Sequence, residues 1–104
     1  MGFRDARRRL IAALQAGEYQ HEALEVRQEK NLLGLGEIGE EVVITMLRRT
    51  RGDQYRSSPH HWDRSVTVHV FRPRYEGERW YIKAYFLESE GEGAVFISVH
   101  RQEG

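Results

Sequence analysis

Apolar residues recur at helical spacing in two segments of the chain. Over residues 3–14 they fall three or four positions apart, and Gly17 follows where a helix would end. Over residues 40–49 they form one stripe, and arginines gather at its C-terminal end. The pattern therefore predicts two amphipathic helices. Between them, a weaker pattern indicates an extended piece at 23–26 and a helical turn that ends at Gly34 and Gly36.

The C-terminal part of the chain alternates apolar and polar positions in three segments, 65–74, 79–87 and 94–100. This period of two predicts strands, and the connections at 76–78 and 88–93 are polar and contain glycine, as hairpin loops do. We therefore expect a single α+β domain over residues 1–104, in which N-terminal helices pack on one face of a C-terminal antiparallel β-sheet meander.

The register of this meander can be predicted from the strand pattern. If the apolar alternates face the helices, the shortest loops place Val70 opposite Ala84 and Leu87 opposite Ala94. Tyr81 and His100 then become direct cross-strand neighbours on the other face. That face would carry three rows: His69–Tyr85–Phe96, Phe71–Lys83–Ser98 and Pro73–Tyr81–His100.

Length and composition narrow the possible classes of protein. A chain of 104 residues fits one domain, and without cysteine it has no disulfide, thiolate nucleophile or Cys-type zinc site. No apolar run is long enough for a membrane span or a signal peptide, so we expect a cytoplasmic protein that does not engage a membrane. The sequence leaves the oligomeric state open.

The distribution of charge favours a nucleic-acid partner more than the net charge does. The formal net charge is zero, but residues 42–74 carry seven basic and two acidic side chains, and acidic residues dominate the neighbouring blocks. Such blocks can form a basic stripe; solvated faces of mixed charge are an equally weighted alternative. Arg48, Arg49 and Arg51 at the end of the second helix suit its dipole, and phosphate binding is the alternative.

The predicted helix-free face suits RNA, because aromatic rings stack on bases and cations hold phosphates. Cleavage without a metal needs a base for the ribose 2′-OH, a cation for the phosphoryl oxygens and an acid for the leaving oxygen. His100 is the natural proton carrier. The alternative for this face is cover by another helix or a partner chain. His60, His61 and Asp63 are close in sequence but lack a defined ligand spacing, so we predict no metal and no cofactor.

Most of the chain resembles the MqsR family of bacterial toxins, which are relatives of the RelE-like mRNA interferases. The strand motif that contains Arg72 and is followed by Tyr81 and Lys83 is the most specific part of the resemblance. The matching stretches are Leu33–Gly34–Leu35, Val42–Val43–Ile44, Tyr55–Arg56–Ser57, Val70–Phe71–Arg72–Pro73–Arg74, Tyr81–Ile82–Lys83 and Val95–Phe96–Ile97–Ser98.

The resemblance implies a RelE-like fold, cleavage of mRNA at short sequences, and neutralisation by a cognate antitoxin. The family tyrosine falls on Tyr81, its two lysines fall on Arg56 and His100, and its glutamine falls on Val68. An arginine keeps the charge of lysine but cannot act as a base. A non-catalytic RNA-binding or antitoxin-binding module that kept the fold is the alternative function.

We therefore predict a metal-independent endoribonuclease with three catalytic residues. His100 carries the proton, Tyr81 acts as an acid or positioning group, and Arg56 clamps phosphate together with Lys83. The predicted RNA-binding residues are His69, Phe71, Arg72, Lys83 and Tyr85, and the expected partners are mRNA and the antitoxin.

Overall fold

The computed structural model describes residues 1–22, 30–87 and 93–102. Its α+β architecture contains helices α1 (Phe3–Ala16) and α2 (Glu40–Arg49). A short 3-10 turn, Gly52–Gln54, precedes the second strand. The strands are β1 (Tyr19–His21), β2 (Tyr55–Pro59), β3 (Thr67–Phe71), β4 (Arg74–Tyr75), β5 (Glu78–Phe86) and β6 (Ala94–Arg101). No helix in these ranges is long and apolar enough to cross a membrane.

Both predicted helices are confirmed, and their ends follow the expected chemistry. Gly17 ends α1 in the left-handed conformation, with φ of 71°, and its N–H group donates to the carbonyl oxygen of Leu14. Glycine adopts this conformation without a steric penalty. Helix α2 has glutamates in its first turn and Arg48 and Arg49 in its last turn. This distribution complements the helix dipole.

The predicted meander is confirmed within a larger sheet. The strand order is β1-β6-β5-β3-β2, with β4 paired to β5, and β3, β5 and β6 are antiparallel neighbours. Two strands were not predicted: β2 extends the sheet beyond β3, and β1 pairs with β6 in parallel. The sheet is therefore mixed rather than purely antiparallel.

The predicted strand at 65–74 is divided. Arg72 and Pro73 separate β3 from β4, and the N–H group of Arg72 donates instead to the carbonyl oxygen of Gln54. The proposed extended piece at 23–26 and residues 88–92 of the last loop lie outside the described residues.

Helices α1 and α2 cover one face of the sheet and form the main core with it. Apolar side chains of both helices and of β3, β5 and β6 contribute to this core. Its fully buried members include Ala6, Leu10, Val43, Met46, Leu47, Phe71, Ile82, Phe96 and Val99.

The predicted orientation of β3 is wrong by one residue. His69 lies opposite Ala84, and Phe71 lies opposite Ile82, so the odd-numbered residues of β3 face the helices. Phe71 is fully buried and packs on Phe3, with a ring-centroid distance of 6.4 Å. A phenylalanine buries more apolar area than a valine, which favours this orientation.

A bulge in β6 changes a second predicted orientation. Ser98 pairs with Lys83 but Phe96 pairs with Ala84, which leaves Ile97 without a pairing partner. The extra residue reverses the alternation, so Phe96 turns toward the helices and Ile97 away from them. For the same reason Ala94 lies opposite Phe86 and not opposite Leu87 as predicted.

The face of the sheet that points away from the helices, called the opposite face below, therefore has an apolar centre. Val68, Val70 and Ile97 form it and are at most 4% exposed, with Tyr81 and Tyr85 packed against them. The predicted aromatic rows through His69, Phe71 and Phe96 are incorrect. Polar groups occupy the two ends of this face instead.

Candidate nucleic-acid interface

Tyr81 and His100 lie side by side at one end of the opposite face. They are Cα partners of β5 and β6, as predicted, and their rings stack with centroids 5.2 Å apart and planes inclined by 25°. The bulge at Ile97 lies on the far side of Ser98, so it does not disturb this row. The side chains of both residues are half-buried, which leaves part of each ring accessible.

The hydrogen bond of His100 determines which nitrogen can take up a proton. Nδ1 lies 2.8 Å from the carbonyl oxygen of Arg101. A carbonyl oxygen only accepts, so Nδ1 carries the hydrogen, and in the neutral ring the lone pair lies on Nε2. No hydrogen bond joins Nε2 to any residue in the described part of the chain. The imidazole is therefore held in the tautomer that a general base requires.

Four arginines line a cleft of about 290 Å³ next to this pair. Arg79 lies two residues from Tyr81 on the same side of β5, and the N–H group of Gln102, the residue after the end of β6, donates to the carbonyl oxygen of Arg79. The lining residues, called the arginine cleft below, are Arg51, Asp53, Gln54, Arg72, Arg74, Arg79 and Gln102.

The arginine cleft has an excess of positive charge. Its four arginines and one aspartate leave a formal charge of +3. Asp53 lies 3.4 Å from Arg51 and offsets part of that charge. Within the described ranges, no acidic side chain forms an ion pair with Arg72, Arg74 or Arg79. Such a concave surface attracts anions.

A tight hairpin turn places two of these arginines directly opposite each other. Glu76 and Gly77 connect β4 to β5 with φ values of 51° and 78°, the positive values of a type I′ turn. Arg74 and Arg79 are consequently Cα partners. Like charges that face each other across strands destabilise a sheet, and a bound phosphate would relieve that repulsion.

Arg56 and Lys83 share a row on the opposite face but do not lie beside the Tyr81–His100 pair. The row runs from Arg56 through Val70 and Lys83 to Ser98. Strand β3 separates Arg56 from β5, which corresponds to about 10 Å across the sheet. Arg56 is exposed, so it can bind a phosphate, but only one that lies about 10 Å across the sheet from β5. The structure does not bring it into contact with the other two predicted catalytic residues.

A second polar cluster, the Glu22 cluster of Glu22, His60 and Tyr85, lies at the other end of the opposite face. The Glu22 carboxylate accepts a hydrogen bond from Nε2 of His60 at 3.1 Å and another from the Tyr85 hydroxyl. The rings of His60 and Tyr85 meet edge to face with centroids 5.2 Å apart. Burial, the charge of Glu22 and the hydrogen bond to it raise the pKa of Tyr85. The Tyr85 hydroxyl therefore interacts with another residue of the protein.

Both nitrogens of His60 are occupied. Nδ1 accepts the N–H groups of Trp62 at 3.0 Å and Asp63 at 3.3 Å, while Nε2 donates to Glu22. A metal would have to displace one of these bonds. Across residues 1–22, 30–87 and 93–102, no group of three potential His, Asp or Glu ligands is positioned to hold a metal ion.

His69 and Phe71, two predicted RNA-binding residues, lie on the helix-covered face and are buried. The Tyr55 hydroxyl lies 2.7 Å from Nδ1 of His69, so a hydrogen bond satisfies this buried ring. Burial lowers the pKa of His69, and the positive charges of the amino terminus and Arg9 add to the shift. Neither residue can contact RNA without unfolding.

Sequence reasoning missed Arg74 and Arg79 as site residues. The signal was present in the recurrence of arginine at 72, 74 and 79 around a Glu-Gly turn. The predicted continuous strand at 65–74 obscured it, because the pairing of β4 with β5 was not foreseen. Val68, where the resemblance places the family glutamine, is 1% exposed in the apolar centre.

Comparison with protein families, curated proteins and solved structures finds no match to this chain. The case for a function therefore depends on the geometry of the opposite face.

Proposed function

We propose that this protein binds single-stranded RNA along the opposite face and cleaves it at the Tyr81–His100 pair without a metal. The observation that carries the proposal is the position of a tautomerically fixed imidazole one row from a cleft of charge +3. A proton carrier beside an anion site is the minimum that ribose-assisted cleavage of a phosphodiester requires.

The proposed reaction begins with Nε2 of His100, which takes the proton of the ribose 2′-OH. The 2′ oxygen attacks the adjacent phosphorus, and the bond from phosphorus to the 5′ oxygen breaks. Tyr81 donates a proton to that leaving oxygen, and the proton held by His100 then returns to Tyr81 through water, which restores both residues. The products are a 2′,3′-cyclic phosphate and a 5′-hydroxyl end.

The arginine cleft supplies the electrostatic part of the reaction. Arg79 is two residues from Tyr81 on the same side of β5, a separation of about 6.6 Å along the strand. A guanidinium at this distance can bind the scissile phosphate or the next one. Arg72 and Arg74 extend the positive surface, and a planar guanidinium matches two phosphate oxygens at once.

A relationship to RelE-like toxins of the MqsR kind remains part of this proposal. Helices packed on one face of a sheet that carries a meander are compatible with such a fold. The resemblance assigns the family tyrosine to Tyr81, and the stacking of Tyr81 on His100 supports a shared site. If the relationship holds, a cognate antitoxin would inhibit by covering the arginine cleft.

The direct test incubates purified protein with a mixed-sequence RNA in the presence of a chelator and sequences the new ends. We expect cleavage that persists with chelator and leaves cyclic phosphate ends. The His100→Ala variant, purified in parallel, excludes a contaminating nuclease as the source. Arg8→Ala is the control, because Arg8 is an exposed residue of α1 that lines neither the arginine cleft nor the opposite face.

The possible outcomes separate the two functions considered for this chain. Cleavage by the wild type and by Arg8→Ala, but not by His100→Ala, supports the nuclease. RNA binding without cleavage in all three proteins would instead identify a non-catalytic binding module. Equal cleavage by all three would contradict the assignment of His100.

A further inference from the structure

The Glu22 cluster borders a shallow recess at the end of the opposite face away from Tyr81. His61, Trp62 and Lys83 line the recess together with members of the cluster and of the apolar centre. None of these residues belongs to the arginine cleft. The recess is therefore a separate feature on the same face.

Trp62 is exposed although the loop that carries it is tightly held. Its side chain is 74% exposed, the largest value among the exposed large hydrophobic residues. The backbone N–H group of Trp62 donates to Nδ1 of His60. The backbone N–H group of His60 in turn donates to the carbonyl oxygen of Val66 at 2.8 Å. The N–H and hydroxyl groups of Ser65 bind the Asp63 carboxylate. These bonds hold the backbone of the loop, and the ring of His61 meets the indole edge to face with centroids 4.9 Å apart. Most of the indole is left in water, where a flat apolar ligand could cover it.

The polar groups of the recess complement the edge of a nucleobase. The Glu22 carboxylate can accept more hydrogen bonds than the two it receives, and an ammonium such as that of Lys83 donates to base carbonyl or ring nitrogen acceptors. An aromatic ring for the base face, an acceptor and a donor form the usual set for an unpaired base.

We propose that this recess is a base-binding subsite, in which an unpaired base of the bound RNA stacks on Trp62 and presents its edge to Glu22 and Lys83. The inference rests on the proposed function, because that function supplies single-stranded RNA as the ligand. Tyr81 and Tyr85 are four residues apart on β5, about 13 Å. A short single strand held by the arginine cleft can reach the recess, which would make it a determinant of sequence preference.

The test uses tetranucleotides of 2′-deoxyribose, which lack the 2′-OH and cannot be cleaved by the proposed route. Four homopolymers and an abasic tetranucleotide are titrated while tryptophan fluorescence and binding are measured. We expect the base-containing ligands to quench fluorescence unequally and the abasic ligand to bind without quenching. In Trp62→Phe, which keeps only buried Trp80 as a fluorophore, the quenching should be largely lost.

Affinity provides a second readout. Trp62→Ala should weaken binding of the base-containing ligands roughly 5- to 150-fold, the range expected for one lost stacking contact, and leave the abasic ligand unaffected. Glu22→Gln should reduce the differences among the four bases. Leu35→Ala, which removes an exposed side chain outside the recess, is the matched control and should change nothing.

The subsite can fail independently of the nuclease. Equal binding of base-containing and abasic ligands, or wild-type affinity and base preference in Trp62→Ala, would overturn the subsite and leave His100-dependent cleavage intact. Conversely, base-dependent quenching in a protein that does not cleave RNA would support the recess as a binding site and reject the proposed chemistry.

Discussion

The two ends of the opposite face each hold a histidine next to a tyrosine, but the two pairs differ in what their hydrogen bonds leave available. At one end, His100 uses only Nδ1 and stacks on Tyr81. At the other end, His60 uses both nitrogens, and its neighbour Tyr85 donates to Glu22. The same residue types therefore leave a ring nitrogen available in one place and hold a loop in the other.

The electrostatic surroundings reinforce this difference. The His100 end adjoins a cleft of charge +3, whereas a carboxylate lies at the centre of the His60 end. A phosphate is attracted to the first and repelled by the second, while a neutral base edge can use the carboxylate as an acceptor. The comparison teaches that the availability of a lone pair, and not the residue type, distinguishes a candidate catalytic histidine from a structural one.

The largest expected effect is on the rate of RNA cleavage in His100→Ala. Removal of one general base should lower the rate roughly 100- to 10,000-fold, because that is the usual contribution of one positioned acid or base. RNA affinity should stay near that of the wild type, since the arginine cleft is unchanged. Single-turnover cleavage and anisotropy titrations measure the two quantities. Full activity in His100→Ala would show that the free ring nitrogen of His100 has no role in cleavage, and it would contradict the functional difference drawn between the two ends.

The next effect is on stability in His60→Ala. This substitution leaves the N–H groups of Trp62 and Asp63 and the Glu22 carboxylate without their partner, so the free energy of unfolding should fall by about 1–3 kcal/mol. In His100→Ala the loss should be smaller, about 0.5–1 kcal/mol, because it removes one stacked, half-buried ring and leaves no buried group without a partner. Urea unfolding measures both. A larger loss in His100→Ala than in His60→Ala would reverse the assignment of roles.

His69, on the helix-covered face, and His21 lead to a prediction of how stability changes as the pH is lowered. Burial lowers the pKa of His69 and of His21 below the usual histidine value of 6.5, so the unfolded chain binds protons more readily than the folded one. The contribution of neutral His69 and His21 is complete above pH 6.5 and is lost as pH falls toward their folded pKa values.

We therefore expect the unfolding temperature of the wild type to decrease as pH is lowered from 7.5 to 5. His69→Gln should show a shallower decrease, with the remainder due to His21. His61→Ala, which removes an exposed histidine, should follow the wild type. Thermal unfolding followed by circular dichroism checks this, and an equal slope in His69→Gln would contradict a contribution from His69.

The smallest effect is expected at Arg74, where binding and stability should change in opposite directions. Arg74→Ala removes the repulsion with Arg79 and should raise the free energy of unfolding by about 0.2–1 kcal/mol. The same change should weaken RNA binding and reduce the slope of log affinity against log salt by about 0.7, the value for one phosphate contact on a single strand.

The matched control is Arg8→Ala on α1, where Arg8 already pairs with Asp5 at 2.9 Å. It should leave the salt slope unchanged. A lower stability in Arg74→Ala, with unchanged binding, would show that Arg74 serves the hairpin and not an anion.

Much of the fold was predictable because it depends on local periodicity. The apolar spacing of residues 3–14 and 40–49 predicted both helices, and the period of two predicted β3, β5 and β6 as a meander. The row of Tyr81 and His100 was also predictable, since both residues lie on uninterrupted alternation next to a short loop. By contrast, β1 is a three-residue strand whose partner β6 is distant in sequence, and β2 is short and mostly polar, so no local pattern indicates either strand.

The sequence by itself determined both helices and the three strands of the meander, and it brought Tyr81 beside His100. Only the tertiary structure decided which side of β3 faces the helices. Both of its alternating sets, Val68 with Val70 and His69 with Phe71, could be buried, and the pattern does not distinguish them. Burial of Phe71 against Phe3 and the hydrogen bond from Tyr55 to His69 favour one orientation, because together they bury the larger ring and satisfy the polar one.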